Sequence, residues 1–138
     1  MTDDRRDQIS HRLSRASDAS AAAEVLLNAD YTSGPIGEMY YACFHAVRAL
    51  LVAEGLSSKR HNGTRALFVT HWIQPGLLAR EMSRFYGLMS ERNRRAEWEP
   101  FVQFERADVE AWLVDTRSFV AQVSDWLQAN VPDLKPAP

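Results

Sequence analysis

Arg80, Arg84, Arg92, Arg94 and Arg95 crowd one stretch of the chain. Guanidinium groups at that density suit phosphate, which each can grip through two parallel N–H donors. The competing reading is a solvated helix face, with the arginines paired to Glu81, Glu91, Glu97 and Glu99 and favoured by the negative end of the helix dipole. That reading is preferred for Arg80 and Arg84, one helical turn apart. Glu97 and Trp98 follow the cluster. A carboxylate at 97 could accept a proton, although it repels phosphate unless the arginines outweigh it. An indole at 98 could stack on a base or plug the end of a bundle, and packing is preferred because a buried aromatic contributes a large apolar area.

Lys59-Arg60-His61 is a second basic segment, and an imidazole in such a loop can meet phosphate and titrate near neutral pH. Tyr41, His45 and Arg48 fall on one helical stripe that could line a cleft or meet a partner. A buried His45 would need a hydrogen-bond partner, with a tyrosine hydroxyl or a backbone carbonyl expected. Arg65 with His71 and Arg5 with His11 share an arginine-to-histidine spacing that chance readily supplies. No histidine and carboxylate spacing suits a metal and no serine sits in a nucleophile elbow, so no metal and no cofactor are expected.

These residues must be held by helices. Met39, Tyr40, Cys43, Phe44, Val47, Leu50 and Leu51 recur at helical spacing, in a run too apolar for a surface helix, which predicts a central helix covered on more than one side. It should begin after the Ser33-Gly-Pro-Ile-Gly37 turn and end at Gly55, where glycine takes a left-handed cap. A first helix over 6–29 turns Ile9, Leu13, Ala16, Ala23, Leu26 and Leu27 inward, its small residues allowing close approach, and Arg12 and Arg15 outward. A polar connection over 57–63 leads to a short helix over 64–73, stopped by Pro75-Gly76. A fourth helix over 77–95 places Leu78, Met82, Phe85, Leu88 and Met89 inward, followed by an irregular connection over 96–103. Val109, Trp112, Leu113, Thr116, Phe119, Val120, Val123, Trp126 and Leu127 mark the last helix. The expected architecture is all-α: a single up-and-down bundle of four to five helices over 1–131, with a flexible C-terminal tail over 132–138.

Tyr40-Tyr-Ala-Cys-Phe-His-Ala-Val-Arg-Ala-Leu-Leu51, then Glu54-Gly-Leu56, Lys59-Arg-His-Asn-Gly63, Leu67-Phe68, Gly76-Leu77-Leu78 and Arg92-Asn-Arg-Arg-Ala-Glu-Trp98, appear in an order that resembles small prokaryotic HEPN-domain proteins over about residues 8 to 129. The resemblance implies a helical bundle that forms a homodimer, contacts RNA or nucleotides, and sits beside a small nucleotidyltransferase in toxin-antitoxin or defence modules. Ribonuclease members carry an arginine followed after four to six residues by a histidine, two such motifs meeting at a dimer cleft. Arg92 matches the arginine, but Glu97, Trp98 and Glu99 stand where the histidine is due. Without it, Arg92 supplies positive charge and no proton transfer, since a guanidinium stays protonated.

The 138 residues, nearly half of them apolar in type, suffice for one domain with a core. A net charge of −2 argues against a globally basic nucleic-acid binder and confines any RNA contact to a local patch. The lone Cys43 excludes an internal disulfide and fits a reducing cytosol. With no apolar signal segment or membrane span, a cytoplasmic protein is expected. The leading expectation is therefore an RNA- or nucleotide-binding module using Arg92, Arg94, Arg95, Trp98, Lys59 and Arg60. The rivals are a metal-independent RNase toxin in which Glu97 or His61 moves the proton, and a structural helical adaptor.

Overall fold

The aromatic run becomes the middle helix around which the others gather. The computed structural model describes residues 1–136. It consists of α1 (Asp3–Asn28), α2 (Ser33–Ala53), α3 (His61–Phe68), α4 (Arg80–Trp98) and α5 (Arg106–Asn130), with no strand among the described residues. α2 packs against all four other helices. Its Met39, Ala42, Cys43, Ala46, Val47, Ala49 and Leu50 are fully buried, so water is excluded from most of its circumference. Each large side chain removed from water in this way contributes about 1.5–3 kcal/mol. On α1, Ala16, Ala19, Ser20 and Ala23 are buried, and their short side chains permit the close approach expected of them. Ser20 satisfies its hydroxyl by donating to the Ala16 carbonyl at 3.1 Å. The stripe predicted for α5 faces the core through Val109, Leu113, Thr116, Phe119, Val123 and Leu127. No helix among the described residues is long and apolar enough to cross a membrane.

Several boundaries differ from the sequence expectation. α2 starts at Ser33, so the Gly-Pro-Ile-Gly segment is helical rather than a preceding turn. Proline is tolerated there because the first N–H groups of a helix have no intrahelical partner. α3 starts at His61, not Thr64. Ser58 Oγ accepts from the Arg60 N–H at 3.2 Å just before it, and the Gly63 position has no room for a Cβ beside Ser58. α3 then continues into a widened π turn, Val69–Ile73, closed by Gln74 N–H donating to the Val69 carbonyl at 2.9 Å. The N–H groups of Leu77 and Leu78 turn back onto the Trp72 carbonyl at 2.9 and 3.0 Å, which delays α4 to Arg80. At its other end α4 runs through Ala96 and Glu97, both good helix formers, and stops only where Pro100 forces Glu99 into an extended conformation. Its buried stripe is Met82, Tyr86 and Met89, whereas Leu88 is exposed on the flank.

The chain beyond α5 is not loose up to residue 136. Val131 and Leu134 are buried against the core, and Gln128 Nε2 donates to the Lys135 carbonyl at 2.7 Å. Leucine gains more from that apolar contact than from a free tail. Residues 137–138 of the expected tail lie outside the described residues.

Helix ends fix how the elements meet. α2 closes with Leu56 N–H on the Leu51 carbonyl at 2.8 Å and Gly55 N–H on Val52 at 3.1 Å, Gly55 having φ +69°. Both bonds need that left-handed residue. Gly55→Ala leaves room for a methyl, whose nearest neighbour is Arg5 Nη2 at 3.5 Å, but strains the backbone. It is expected to cost about 1 kcal/mol in a urea unfolding curve, and an unchanged midpoint would refute the cap argument. α1 ends in the same pattern with Asp30 at φ 69°. There Arg106 Nη1 donates to the Leu27 carbonyl at 2.8 Å and to Asp30 Oδ1 at 2.9 Å, tying the start of α5 to the end of α1.

Candidate functional site

The arginines at the end of α4 are unequally occupied. Arg94 grips Glu91 with two bonds, Nε to Oε2 at 3.3 Å and Nη2 to Oε1 at 2.5 Å. The hydrogen bond from Arg94 holds the Glu91 carboxyl below its ordinary range. Arg95 donates to Glu99 at 3.1 Å and lies 5.8 Å from the Phe104 ring. Arg92 forms no ion pair among the described residues. Its guanidinium sits 4.2 Å over the Trp112 ring of α5. Burial, then Arg95, lowers its pKa against the opposing pull of Asp108. The free cation of this cluster is thus Arg92, on an aromatic support that fixes its plane.

Glu97 does not join Arg92. Five residues along a helix turn a side chain well over a right angle, and Glu97 instead meets Asn93 Nδ2 at 3.5 Å. Asn93 itself lies against α2 beside Gly37, so Asn93 and Glu97 line the α2 side of α4 while Arg92 lines the α5 side. Trp98 is 76% exposed, which overturns the expectation that it packs into the bundle end. It is the last residue of α4, on the solvent side of a turn whose Ala96 packs against the core.

His61 is anchored at the first turn of α3, exposed but not loose. Tyr40 Oη lies 2.7 Å from His61 Nδ1. The imidazole stacks on Phe44 at 4.3 Å, with ring planes 16° apart, and Tyr41 meets it edge-on at 5.9 Å. The Tyr40 hydroxyl is pushed up to about 12 by burial first, then by Tyr41, Cys43 and Glu97, with Arg65 opposing. It is therefore a neutral phenol that orients the imidazole and leaves Nε2 outward. Lys59 and Arg60 are exposed immediately before it.

His45 is buried, but its partner is neither a tyrosine nor a backbone carbonyl. Arg12 Nη1 lies 3.4 Å from His45 Nδ1, the two residues being brought together by the antiparallel packing of α1 on α2. Burial, then Arg12, Arg15, Arg48 and His11, drive the imidazole down to about 4, so it is neutral near pH 7. Arg48 crosses the Phe44 ring at 4.9 Å, and its Nε is buried without a partner. A hollow of about 470 Å³ beside His45 is bordered by Arg15, Asp18, Glu38 and Tyr41. Arg15 is exposed as the sequence pattern predicts, whereas Arg12, also predicted outward, is partly buried against His45. The available signal was their spacing of three on α1, one turn apart on one face. The remaining arginine-histidine spacings stay uninformative: Arg65 lies across Gly87 of α4, His71 lies beside Trp72 in the π turn, and Arg5 lies by Gly55.

Comparison with known proteins finds relatives of this chain. The chain matches the HEPN domain over residues 9–126. It is 31% identical to a UPF0332 protein of Thermotoga maritima over 123 residues, covering 89% of this chain and 90% of that one. Two proteins of Methanocaldococcus jannaschii named as candidate toxins, MJ0142 and MJ0605, are each 21% identical to it. The first alignment covers 83% of this chain and 78% of the relative, the second 93% and 95%.

Proposed function

The chain belongs to the HEPN-domain family, and from that premise we propose that it is the RNA- or nucleotide-binding module of a toxin-type system. In this reading it acts as a homodimer beside a minimal nucleotidyltransferase, in the cytoplasm, and lacks the usual proton-transfer group of HEPN ribonucleases. The toxin context rests on the names of the two archaeal relatives. The observation that carries the binding reading is Arg92, a partly buried guanidinium held over Trp112 with no carboxylate paired to it. Such a group is ready for a phosphate oxygen, and its charge is not already spent on a neighbour.

Catalysis is the weaker part of the family pattern here. The four histidines are His11, His45, His61 and His71, and none follows Arg92. Cleavage at a 2'-hydroxyl needs one group to take a proton and another to return it to the leaving oxygen. His61 has the chemistry, with Nδ1 engaged by Tyr40 and Nε2 free, yet it belongs to α3. Glu97 faces away from Arg92. A ribonuclease using His61 remains the second reading, favoured by that oriented imidazole.

Binding and cleavage are separable in one experiment. Purified protein and its Arg92→Ala variant are incubated with labelled single-stranded RNA and tRNA in EDTA. The expected result is intact RNA, with binding about tenfold weaker in the variant, equivalent to about 1.4 kcal/mol. Equal binding by both proteins would remove Arg92 from the site. Metal-independent cleavage by the wild type would replace this reading with the ribonuclease one, and wild type that binds neither RNA nor nucleotide would leave the adaptor.

A further inference from the structure

Positive charge left without a counter-charge is also found away from α4. Arg12 and Arg15 of α1 and Arg48 of α2 form no ion pair among the described residues, whereas Arg94 and Arg95 are each neutralised on their own helix. Burial first, then the neighbouring charges of Arg48 and Arg15, lower the Arg12 pKa, so its positive charge is disfavoured where it stands. Like charges gathered beside a buried ring cost free energy in the free protein and are relieved when an anion binds. The Phe44 ring meets both Arg48, at 4.9 Å, and the imidazole of His61, at 4.3 Å from its centroid. The stripe therefore continues across α2 to the start of α3 and its Lys59-Arg60 lead.

We infer that Arg15, Arg12, Arg48, His61 and Lys59 form a track for the phosphodiester backbone of single-stranded RNA, with Tyr41 offered to a base. This rests on the RNA-binding reading above and adds a site to it. Tyr41 is 39% exposed beside His45 and His61, and interleaved rings and cations are what a flexible polynucleotide uses. An acidic peptide would match the cations and leave the rings idle. A flat anionic membrane would not reach Arg12 and Arg48, which are partly buried. Asp18 and Glu38 border the same hollow as Arg15 and Tyr41. They direct the anion from Arg15 toward Arg48 and α3 rather than along the rest of α1.

The test measures binding of a fluorescent oligouridylate against salt, with polyglutamate as competitor. It uses wild type, Arg12→Gln/Arg48→Gln, Arg15→Glu/Lys59→Glu and Arg92→Ala, each checked by thermal melting. Both double variants should bind at least about tenfold more weakly, and the Gln pair should flatten the log–log salt slope by about 1.4, the share of two phosphate contacts on a single strand. Should the partly buried Gln pair fail to fold, the exposed Arg15/Lys59 pair carries the same comparison. Wild-type affinity and slope in the folded double variants, with loss confined to Arg92→Ala, would overturn the track and leave the α4 site standing. Absence of wild-type RNA binding would overturn both. Equal competition by polyglutamate would overturn the assignment to nucleic acid.

Discussion

Phe119→Ala is expected to lower the free energy of unfolding by about 3–5 kcal/mol, as buried aromatic truncations do. Phe119 is 2% exposed and stands where three helices meet. Its ring centroid is 5.9 Å from Phe68 of α3, 6.0 Å from Tyr86 and 6.4 Å from Phe85 of α4. Three rigid rings cannot close over the space, so the loss combines transfer free energy with a residual cavity. A domain of this size has about 5–15 kcal/mol in all, so the urea midpoint should fall sharply. A loss below about 1 kcal/mol would mean the neighbouring rings do collapse, contrary to this packing argument.

Acid sensitivity from His45 is the second large effect. Its folded pKa is pushed from 6.5 to about 4, by burial first and then by Arg12, Arg15, Arg48 and His11. In the unfolded chain the imidazole takes a proton near 6.5, whereas in the fold it resists until about 4. The unfolded state therefore binds more protons between those values. Stability is intact above pH 6.5, falls as pH drops through the window, and levels off below 4. The loss is about 2–3 kcal/mol, less than a fully desolvated group would show because Arg12 and Arg15 retain contact with water. His45→Gln keeps an acceptor for Arg12 and has no proton to gain, so its unfolding midpoints above and below the window should differ less than those of wild type. Identical pH profiles for the two proteins would place the acid sensitivity elsewhere.

Much of the bundle is legible in residue order. The unbroken apolar face of α2, the stripe from Val109 to Leu127 and the Gly55 cap are all local patterns, and the structure reproduces each one. The misreadings also have local origins. Pro35 and Gly37 read as a turn because proline and glycine break helices in the interior, yet Pro35 lies in the first turn, which tolerates it, and Gly37 just beyond costs only about 1 kcal/mol. Ala96 and Glu97 read as a connection because the next strong signal was Pro100, although nothing before that residue prevents helix. Tyr86 replaced Leu88 in the core because the stripe of α4 is set by where α2 and α5 lie, and both residues are large enough to fill it.

The sequence by itself determined that α2 had to be covered on nearly all sides, and that Arg92 has no histidine after it. Helical spacing and residue identity suffice for both, since each concerns neighbours along one chain segment. Only the tertiary structure decided which charges are free. Arg12 reaches His45 across 33 positions of sequence, Arg92 finds Trp112 on another helix, and Phe44 comes to meet both Arg48 and His61. Those encounters depend on the register of one helix against the next. That register is set by how small and large side chains interlock across the whole core, a property that no single stretch of sequence contains.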